Sequence, residues 1–432
     1  MNREDDLLSV IHAHRVAGLE LGGQVVFPDY NGYSVLNLPA SICRWLGKPP
    51  LREQPALASP YLEALQGAYE HVFLVVVDGL GYDLLQRFRQ ARAWGLIGAA
   101  EKERMFSRAL IFPLTSIVPS TTANALTTLW TGASPAEHGI IGYELWLKEY
   151  GIVTNMINFS PASFSTYDGG LQRGGFSADT FLSVPTLGAY LCKQDIQVNA
   201  FQHISIAYST LSKMCMPNVN MTAYRTLGDL WAILNQWMLV SKNSPTYNYV
   251  YWGELDTLIH LYGPDDERIL VELSNFFAYL SHLIGKLEEN SFGRTLLLLT
   301  ADHGAVETLP NPQFDLKNYP LLSSCLTILP TGESRLPFLY VKPGCEDRLI
   351  SYVQETWGKQ FDFVRAEQVV ASGLLGEGIT HPNLLDRLGD WLLFPRENAY
   401  WWWWPHKENK LRGRHGGLHP SEMVVPLVAW SF

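Results

Sequence analysis

The 432-residue sequence predicts a doubly wound α/β fold, a mostly parallel sheet sandwiched by helices and carrying inserted cap elements. Two observations predict it. Short Val- and Leu-rich runs, above all His71–Val77 and Thr295–Thr300, are apolar throughout rather than alternating, as strands buried on both faces of a parallel sheet must be. These runs alternate with stretches of helical periodicity, and most residues able to do chemistry follow directly after a run. An open α/β sheet carries its site at that edge.

Asp5–Ala17 has a polar start and apolar residues at roughly helical spacing, which predicts a short helix. Gly22–Leu46 is turn-rich and ends in a partly apolar stretch at Ile42–Leu46. His71–Val77 stops at Asp78-Gly79, a buried strand running into a loop, and Tyr82–Ala91 reads as a helix. Leu110–Val118 is extended up to Pro119. Ser120-Thr121-Thr122 then stand before a helical pattern over Ala123–Trp130, where hydroxyl residues cap helices. Gly132–Gly142 is expected to be loop, with a turn at Ser134-Pro135. Glu144–Val184 is rich in Gly, Ser, Asn and aromatics, so residues 144–184 are expected to be a cap insertion over the sheet's edge that helps form the substrate pocket.

Val198–Ile204 predicts a strand, Met221–Leu239 a helix, and Tyr247–Trp252 a strand ending at Glu254–Asp256. Asp265–Glu288 predicts a long helix whose acidic first turn suits the helix dipole. Thr295–Thr300 ends at Asp302, and the Pro-rich residues 310–329 form a second expected insertion. Pro337–Lys342 is a strand, Cys345–Trp357 and Asn383–Leu392 are helices, and Met423–Val428 is the last strand. With no internal repeat and no Ser/Gly-rich linker, residues 1–432 are expected to form one α/β domain.

Hydrophobic residues make up 47% and charged residues 17%, an ordinary globular composition. The formal net charge of −10 excludes the basic footprint of a nucleic-acid binder, but a metal can still hold a small anion locally. Cys43, Cys192, Cys215, Cys325 and Cys345 are an odd number without a CxxC spacing, and read as free thiols of a reducing compartment. The acidic start MNREDDLLSVIHAHR is no signal peptide, and no apolar run has transmembrane length, so a cytoplasmic protein is expected.

Five segments carry the candidate chemistry: VVVDGLG (Val75–Gly81), VPSTTANALTTLWTG (Val118–Gly132), ELDTLIH (Glu254–His260), TADHG (Thr300–Gly304) and RHGGLHPSEM (Arg414–Met423). Carboxylate and imidazole together suit a divalent metal. Asp78 ends a hydrophobic strand, where a charge needs a partner or a metal, although a capping role would also account for it. Asp256 and His260 are four apart, so a helical turn puts them on one face, either to chelate an ion or to pair with each other. Asp302 and His303 are neighbours that share a site only on an irregular turn. His415 opens a glycine-rich loop, with His419 a competitor for its role. The hydroxyls Ser120, Thr121 and Thr122 are the nucleophile candidates, at a helix N-terminus that favours a phosphate, or else plain caps. His138 reads as structural, and His12, His14, His71, His203, His282, His381 and His406 have no such context.

In this order, the blocks VDG, P-x-x-T with TG-x-x-P-x-x-HGI, D-x-x-x-H, ADHG and HGG resemble the alkaline phosphatase superfamily, and within it the nucleotide pyrophosphatase/phosphodiesterase-like branch. The resemblance runs from about Val72 to Leu427 and lies in the motif blocks. It implies a metal-dependent phosphoryl-transfer hydrolase, a phosphodiesterase or nucleotide pyrophosphatase working through a phospho-threonine intermediate. It further implies two divalent metal ions, zinc or in its place manganese. Asp78, Thr122, Asp302 and His303 are then the ligands of one metal, with Thr122 the nucleophile, and Asp256, His260 and His415 the ligands of the other. The sequence departs from the branch at Tyr143, which stands where an Asn that binds a phosphoryl oxygen is expected; its phenol can donate a hydrogen bond in the same way. The sulfatase nucleophile pattern is absent.

The expected partner is a small phosphorylated substrate rather than a nucleic-acid duplex. The competing readings are a phosphomonoesterase or phosphomutase on the same two-metal site, and a non-catalytic binding protein on the same scaffold. Tyr400–Trp404 (YWWWW) is expected to pack in a core or interface, with stacking on a nucleobase or aryl group the alternative.

Overall fold

The computed structural model describes residues 3–91, 95–163, 170–240, 244–289, 293–405 and 407–432. His406 and residues 164–169 of the first expected insertion lie outside them. Among the described residues the strands are, in chain order, β1 (His71–Val77), β2 (Leu110–Thr115), β3 (Glu144–Leu147), β4 (Ile152–Asn155), β5 (Ser160–Pro161), β6 (Gln197–His203), β7 (Asn220–Tyr224) and β8 (Thr246–Trp252), then β9 (Thr295–Thr300), β10 (Val306–Glu307), β11 (Thr331–Glu333), β12 (Leu336–Leu339), β13 (Phe361–Arg365), β14 (Trp391–Pro395), β15 (Gly413–Arg414) and β16 (Val424–Ser431).

The main sheet has the order β2-β16-β9-β1-β8-β6-β7. Its run from β9 to β7 is parallel, and β16 lies antiparallel between β2 and β9. Every residue of β1, β8 and β9 is buried, which is why β1 and β9 are apolar without alternation between their ends, while β8 also buries Thr246 and Asn248. Helices such as Tyr82–Gln90, Leu187–Cys192 and Leu227–Val240 pack on this sheet, as the α/β pattern predicts. The register decides where the site lies. Val77 of β1 pairs with Trp252 of β8, and Val76 with Thr300 of β9. The three strands therefore end level, and the residues that follow them emerge side by side.

A second sheet, β13-β14-β12-β11-β3-β4-β5, is antiparallel throughout. Its strands are two to five residues long, and only β12 answers to an expected strand, that over Pro337–Lys342; the others are too short for periodicity to announce them. The stretch read as a helix over Met221–Leu239 instead opens with the edge strand β7, and its helix begins at Leu227. The helix expected over Asn383–Leu392 ends at Leu388, because Gly389 turns the chain with φ +72°, and β14 follows. A short helix, Leu38–Trp45, lies inside the turn-rich N-terminal stretch. At Ser134-Pro135 the chain forms a helix, Pro135–His138, closed by a capping box between Ser134 and Glu137.

The aromatic run is split by burial. Trp401, Trp402 and Trp403 belong to a second core between the second sheet and the helix Glu346–Trp357. Trp401 is fully buried, its ring 5.2 Å from that of Trp357 and 5.9 Å from that of Phe361. Packing thus accounts for Trp401 and Trp403, whereas Trp402, though buried in this core, also borders a cavity that Trp404 lines. Trp401→Ala is expected to cost about 3–5 kcal/mol, read as a lower urea midpoint. A midpoint unchanged from the parent chain would contradict that packing role.

Candidate active site

Asp78 directly follows β1, its N–H donating to the carbonyl of Trp252 at 2.9 Å across the level strand ends. The next residue must be glycine: Gly79 has φ +75°, and a Cβ there would stand 3.2 Å from the side chain of Asp256. This close approach brings the loop after β1 against the helix Glu254–Tyr262 that follows β8. That helix presents Asp256 and His260 on one face, with His260 Nε2 3.0 Å from Asp256 Oδ2. Asp302 follows β9, and its Oδ1 accepts the N–H groups of Gly79 at 3.2 Å and His303 at 3.0 Å. An irregular turn lets the neighbours Asp302 and His303 both face inward, and Gly304 there packs against Gly81 and the Ser421 carbonyl too tightly for a side chain.

The three imidazoles are oriented alike. Nδ1 of His260 faces the carbonyl of Gly413 at 2.8 Å, Nδ1 of His303 that of Gly304 at 2.9 Å, and Nδ1 of His415 that of Ser120 at 3.0 Å. A carbonyl only accepts, so each Nδ1 carries a proton. Nε2 of His303 and of His415 then presents a lone pair, whereas Nε2 of His260 faces Asp256 Oδ2 and donates to it in the metal-free chain. The rings of His303 and His415 stack with centroids 3.7 Å apart, and His260 lies 5.2 Å from His415.

Of the three hydroxyls before the helix Thr122–Thr131, two are committed elsewhere. Ser120 Oγ donates to the carbonyl of Gly417 at 2.8 Å, and Thr121 Oγ1 donates to Glu333 at 2.5 Å. Thr122 Oγ1 instead lies 3.2 Å from His303 Nε2. Thr121, the N-cap, makes no side-chain cap bond, so the first turn of this ten-residue helix offers N–H donors and the positive dipole end beside that hydroxyl.

Two trios of ligand atoms lie within 4.8 Å of one another: Asp78, Asp302 and His303, and Asp256, His303 and His415. His303 stands between the groups, and His260 joins the second through Asp256. All seven residues assigned by resemblance thus meet in one cluster. Its chemistry fits divalent cations. Asp78 Oδ1, Asp256 Oδ1 and Asp302 Oδ2 are buried without a hydrogen-bond partner, a costly state for carboxylates that a cation relieves. In the metal-free chain, burial and then Asp302 and Asp256 push Asp78 well above the usual carboxylate range. Burial likewise pushes Asp302 up to about 6. Burial would also raise Asp256, but His260, His415 and His303 together hold it below its ordinary value. His260 is moved down by burial and up by Asp256, with a net rise. Burial, then His303, lowers His415 to about 3, so it stays neutral and able to ligate.

The cluster floors a cavity of about 920 Å³. Tyr143 and Trp404, both singled out in the sequence, line it beside several residues that the sequence reading missed. Tyr251 of β8 donates its hydroxyl to Asp78 Oδ2. Glu333 of β11 accepts Thr121 Oγ1 and, at 2.9 Å, the N–H of Tyr143, and burial pushes its carboxyl up to about 8. Tyr143 is 40% exposed and its side chain bonds Asn155 on the cavity wall. Trp404, the last of the aromatic run, lines the cavity and donates to Glu144 at 3.1 Å. His203 and Arg225 line the opposite side. A buried pair, Arg335 and Glu422 at 2.7 Å, fixes the loop after His415 through the N–H groups of Gly417 and His419. Of the residues missed, only Tyr251 had a sequence signal, its place three residues before Glu254 at a strand end; the others join segments far apart in the chain. His138 is structural, bonded to Thr128 at 3.0 Å, and His419 caps the helix Pro420–Met423.

Residues 72–418 match the family described as type I phosphodiesterase/nucleotide pyrophosphatase. No curated protein matches the sequence. Among solved structures, murine ectonucleotide pyrophosphatase/phosphodiesterase 5 superposes with a TM-score of 0.59 at 16% identity, covering 83% of this chain and 87% of that one. An inactive form of the murine protein in complex with AMP gives 0.57 at 16% identity over 83% and 87%. Phosphonoacetate hydrolase from Sinorhizobium meliloti 1021, in complex with phosphonoformate, gives 0.57 at 18% identity, covering 83% of this chain and 89% of that one. At these identities the likeness is one of fold.

Proposed function

As the chain belongs to the type I phosphodiesterase/nucleotide pyrophosphatase family, we propose that this phosphoryl-transfer hydrolase is a metal-dependent phosphodiesterase or nucleotide pyrophosphatase that works through a phospho-threonine intermediate. The observation that carries the reading is the setting of Thr122. Its hydroxyl stands at an uncapped helix N-terminus and faces a buried acid–imidazole cluster whose carboxylate oxygens lack partners.

Asp78, Thr122, Asp302 and His303 would hold one cation, and Asp256, His260 and His415 the other. When bound, such cations supply Lewis acidity, making an oxygen nucleophilic at neutral pH and stabilising charge on a leaving oxygen. Thr122 Oγ1 attacks phosphorus, a bond from that oxygen to phosphorus forms, and the ester oxygen in line with it departs. Water then attacks the phosphorus of phospho-Thr122 and regenerates the hydroxyl. The first-turn N–H groups of the helix Thr122–Thr131 face the non-bridging oxygens, where negative charge concentrates. The Nδ1-bonded carbonyls of Gly413, Gly304 and Ser120 keep the three imidazoles aimed inward. Zinc suits this mixed oxygen and nitrogen set, and manganese is the alternative.

The second reading, a phosphomonoesterase or phosphomutase, is favoured by Tyr143 standing in place of the branch's Asn. A panel of an aryl phosphodiester, an aryl phosphomonoester, a dinucleotide and phosphonoacetate separates the readings. The diester is expected to be cleaved at least about tenfold faster in kcat/KM than the monoester, a difference of about 1.4 kcal/mol. Much faster monoester cleavage would overturn the diesterase reading, and cleavage of none would favour the non-catalytic one.

A further inference from the structure

Away from the active site, two of the unbridged cysteines share one arginine. Cys325 ends the short helix Pro320–Ser324, and Cys345 precedes the helix Glu346–Trp357. Their backbones are tied through Lys342, whose N–H donates to the carbonyl of Cys325 at 2.8 Å and whose carbonyl accepts the N–H of Cys345 at 3.0 Å. An antiparallel bridge between Leu326 and Val341 completes the junction. Arg348 places Nε 3.1 Å and Nη2 3.0 Å from Cys325 Sγ, and the same Nη2 lies 3.9 Å from Cys345 Sγ. The two sulfurs therefore flank one guanidinium nitrogen. Their access differs: Cys325 is buried beneath the junction, Cys345 is half-buried, and Arg348 is exposed. Lys342 adds a second cation, its ammonium 3.0 Å from the carbonyl of Ser324. Of the nearby acids, Glu346 is already held by Arg365 and Trp391, and Asp347 is exposed.

We propose that Cys325 and Cys345 form an oxidisable dithiol site that closes to an intrachain disulfide by exchange with a small disulfide oxidant, oxidised glutathione being the representative. Cys345, the more accessible sulfur, attacks one sulfur of the oxidant as thiolate. The oxidant's S–S bond breaks and one glutathione thiol leaves. Cys325 then attacks Cys345 Sγ and displaces the second glutathione thiol. The protein loses two electrons and two protons, and the oxidant takes them up as two thiols. Closure requires Arg348 to turn outward from between the two sulfurs, so that side-chain rotation can bring them into bonding distance. The closed loop contains β11 and β12, and with them Glu333 of the active-site cavity. This inference stands apart from the phosphoryl-transfer reading.

The full chain, reduced and then treated with oxidised glutathione, is quenched with iodoacetamide and mapped by peptide mass spectrometry. The expected product is a peptide pair joined between Cys325 and Cys345 and lighter by two hydrogens, with Cys43 and Cys215 still alkylated. Cys325→Ser is expected to stop at glutathione on Cys345. Full alkylation of both thiols in the oxidised wild-type chain, or glutathione on Cys345 that is never displaced, would overturn the proposal. Because the wild-type arm decides by itself, a variant that fails to fold leaves the test intact.

Discussion

Thr122→Ala is expected to lower kcat by at least about 10⁴-fold, the scale on which loss of a nucleophile is felt, while the fold survives. The hydroxyl's one side-chain partner is His303 Nε2, at 3.2 Å. Alanine is a better helix former than threonine, so the first helical position loses nothing. Thr121 remains as N-cap, and its link to Glu333 is untouched. Steady-state assays with the aryl diester give the rate, and circular dichroism checks the fold. Full activity in the variant would move the nucleophile elsewhere. The neighbouring hydroxyls are poor substitutes: Ser120 is held by Gly417 and bonded by the N–H of Gly416, and Thr121 is held by a buried carboxyl.

The second large effect concerns metal. The metal-replete chain is expected to carry about two divalent ions, as a paired-metal clamp requires. Asp302→Asn is expected to lose one of them and to cut kcat by roughly 10³-fold. The same change should not destabilise the metal-free protein above pH 6. Asp302 in the folded, metal-free chain titrates near 6, above the usual carboxylate value, because it is buried. Between the unfolded and folded values the native chain holds a proton that the unfolded chain has released, so stability falls as pH rises through that window. Asparagine removes this cost, and bound metal removes it in the wild type. Chelation is thus expected to lower the melting temperature of the wild type more than that of Asp302→Asn. Elemental analysis finding no metal in the replete wild-type chain would sink the mechanism.

The fold was legible where burial left a plain signature. β1 and β9 are buried on both faces and therefore apolar in every position but their ends, so their limits were read to the residue. The pair Asp256 and His260 was legible because an i, i+4 spacing on a helix has one geometric outcome. Of the second sheet only β12 was legible, in the strand expected over Pro337–Lys342; the other strands are too short for a period to emerge and are joined across distant segments, as where Gly332 pairs with Glu144. The strand at β14 was hidden for a related reason: its apolar run, Trp391–Pro395, continues the pattern of the helix before it, and only the backbone turn at Gly389 separates them.

By itself the sequence determined the α/β class and the strands that end in aspartate, because those depend on local pattern; the seven candidate ligands came from its motif blocks through the family resemblance. Only the tertiary structure decided which hydroxyl faces the cluster, which trios the ligands form around His303, and what lies opposite them. Ser120, Thr121 and Thr122 are alike as neighbours in a chain. They differ once Gly417 and Glu333, remote in sequence, take the first two as partners and leave the third to the acids and imidazoles. Hydrogen-bond partners of that kind are chosen by packing between distant segments, and the P-x-x-T block points to Thr122 only through the family resemblance.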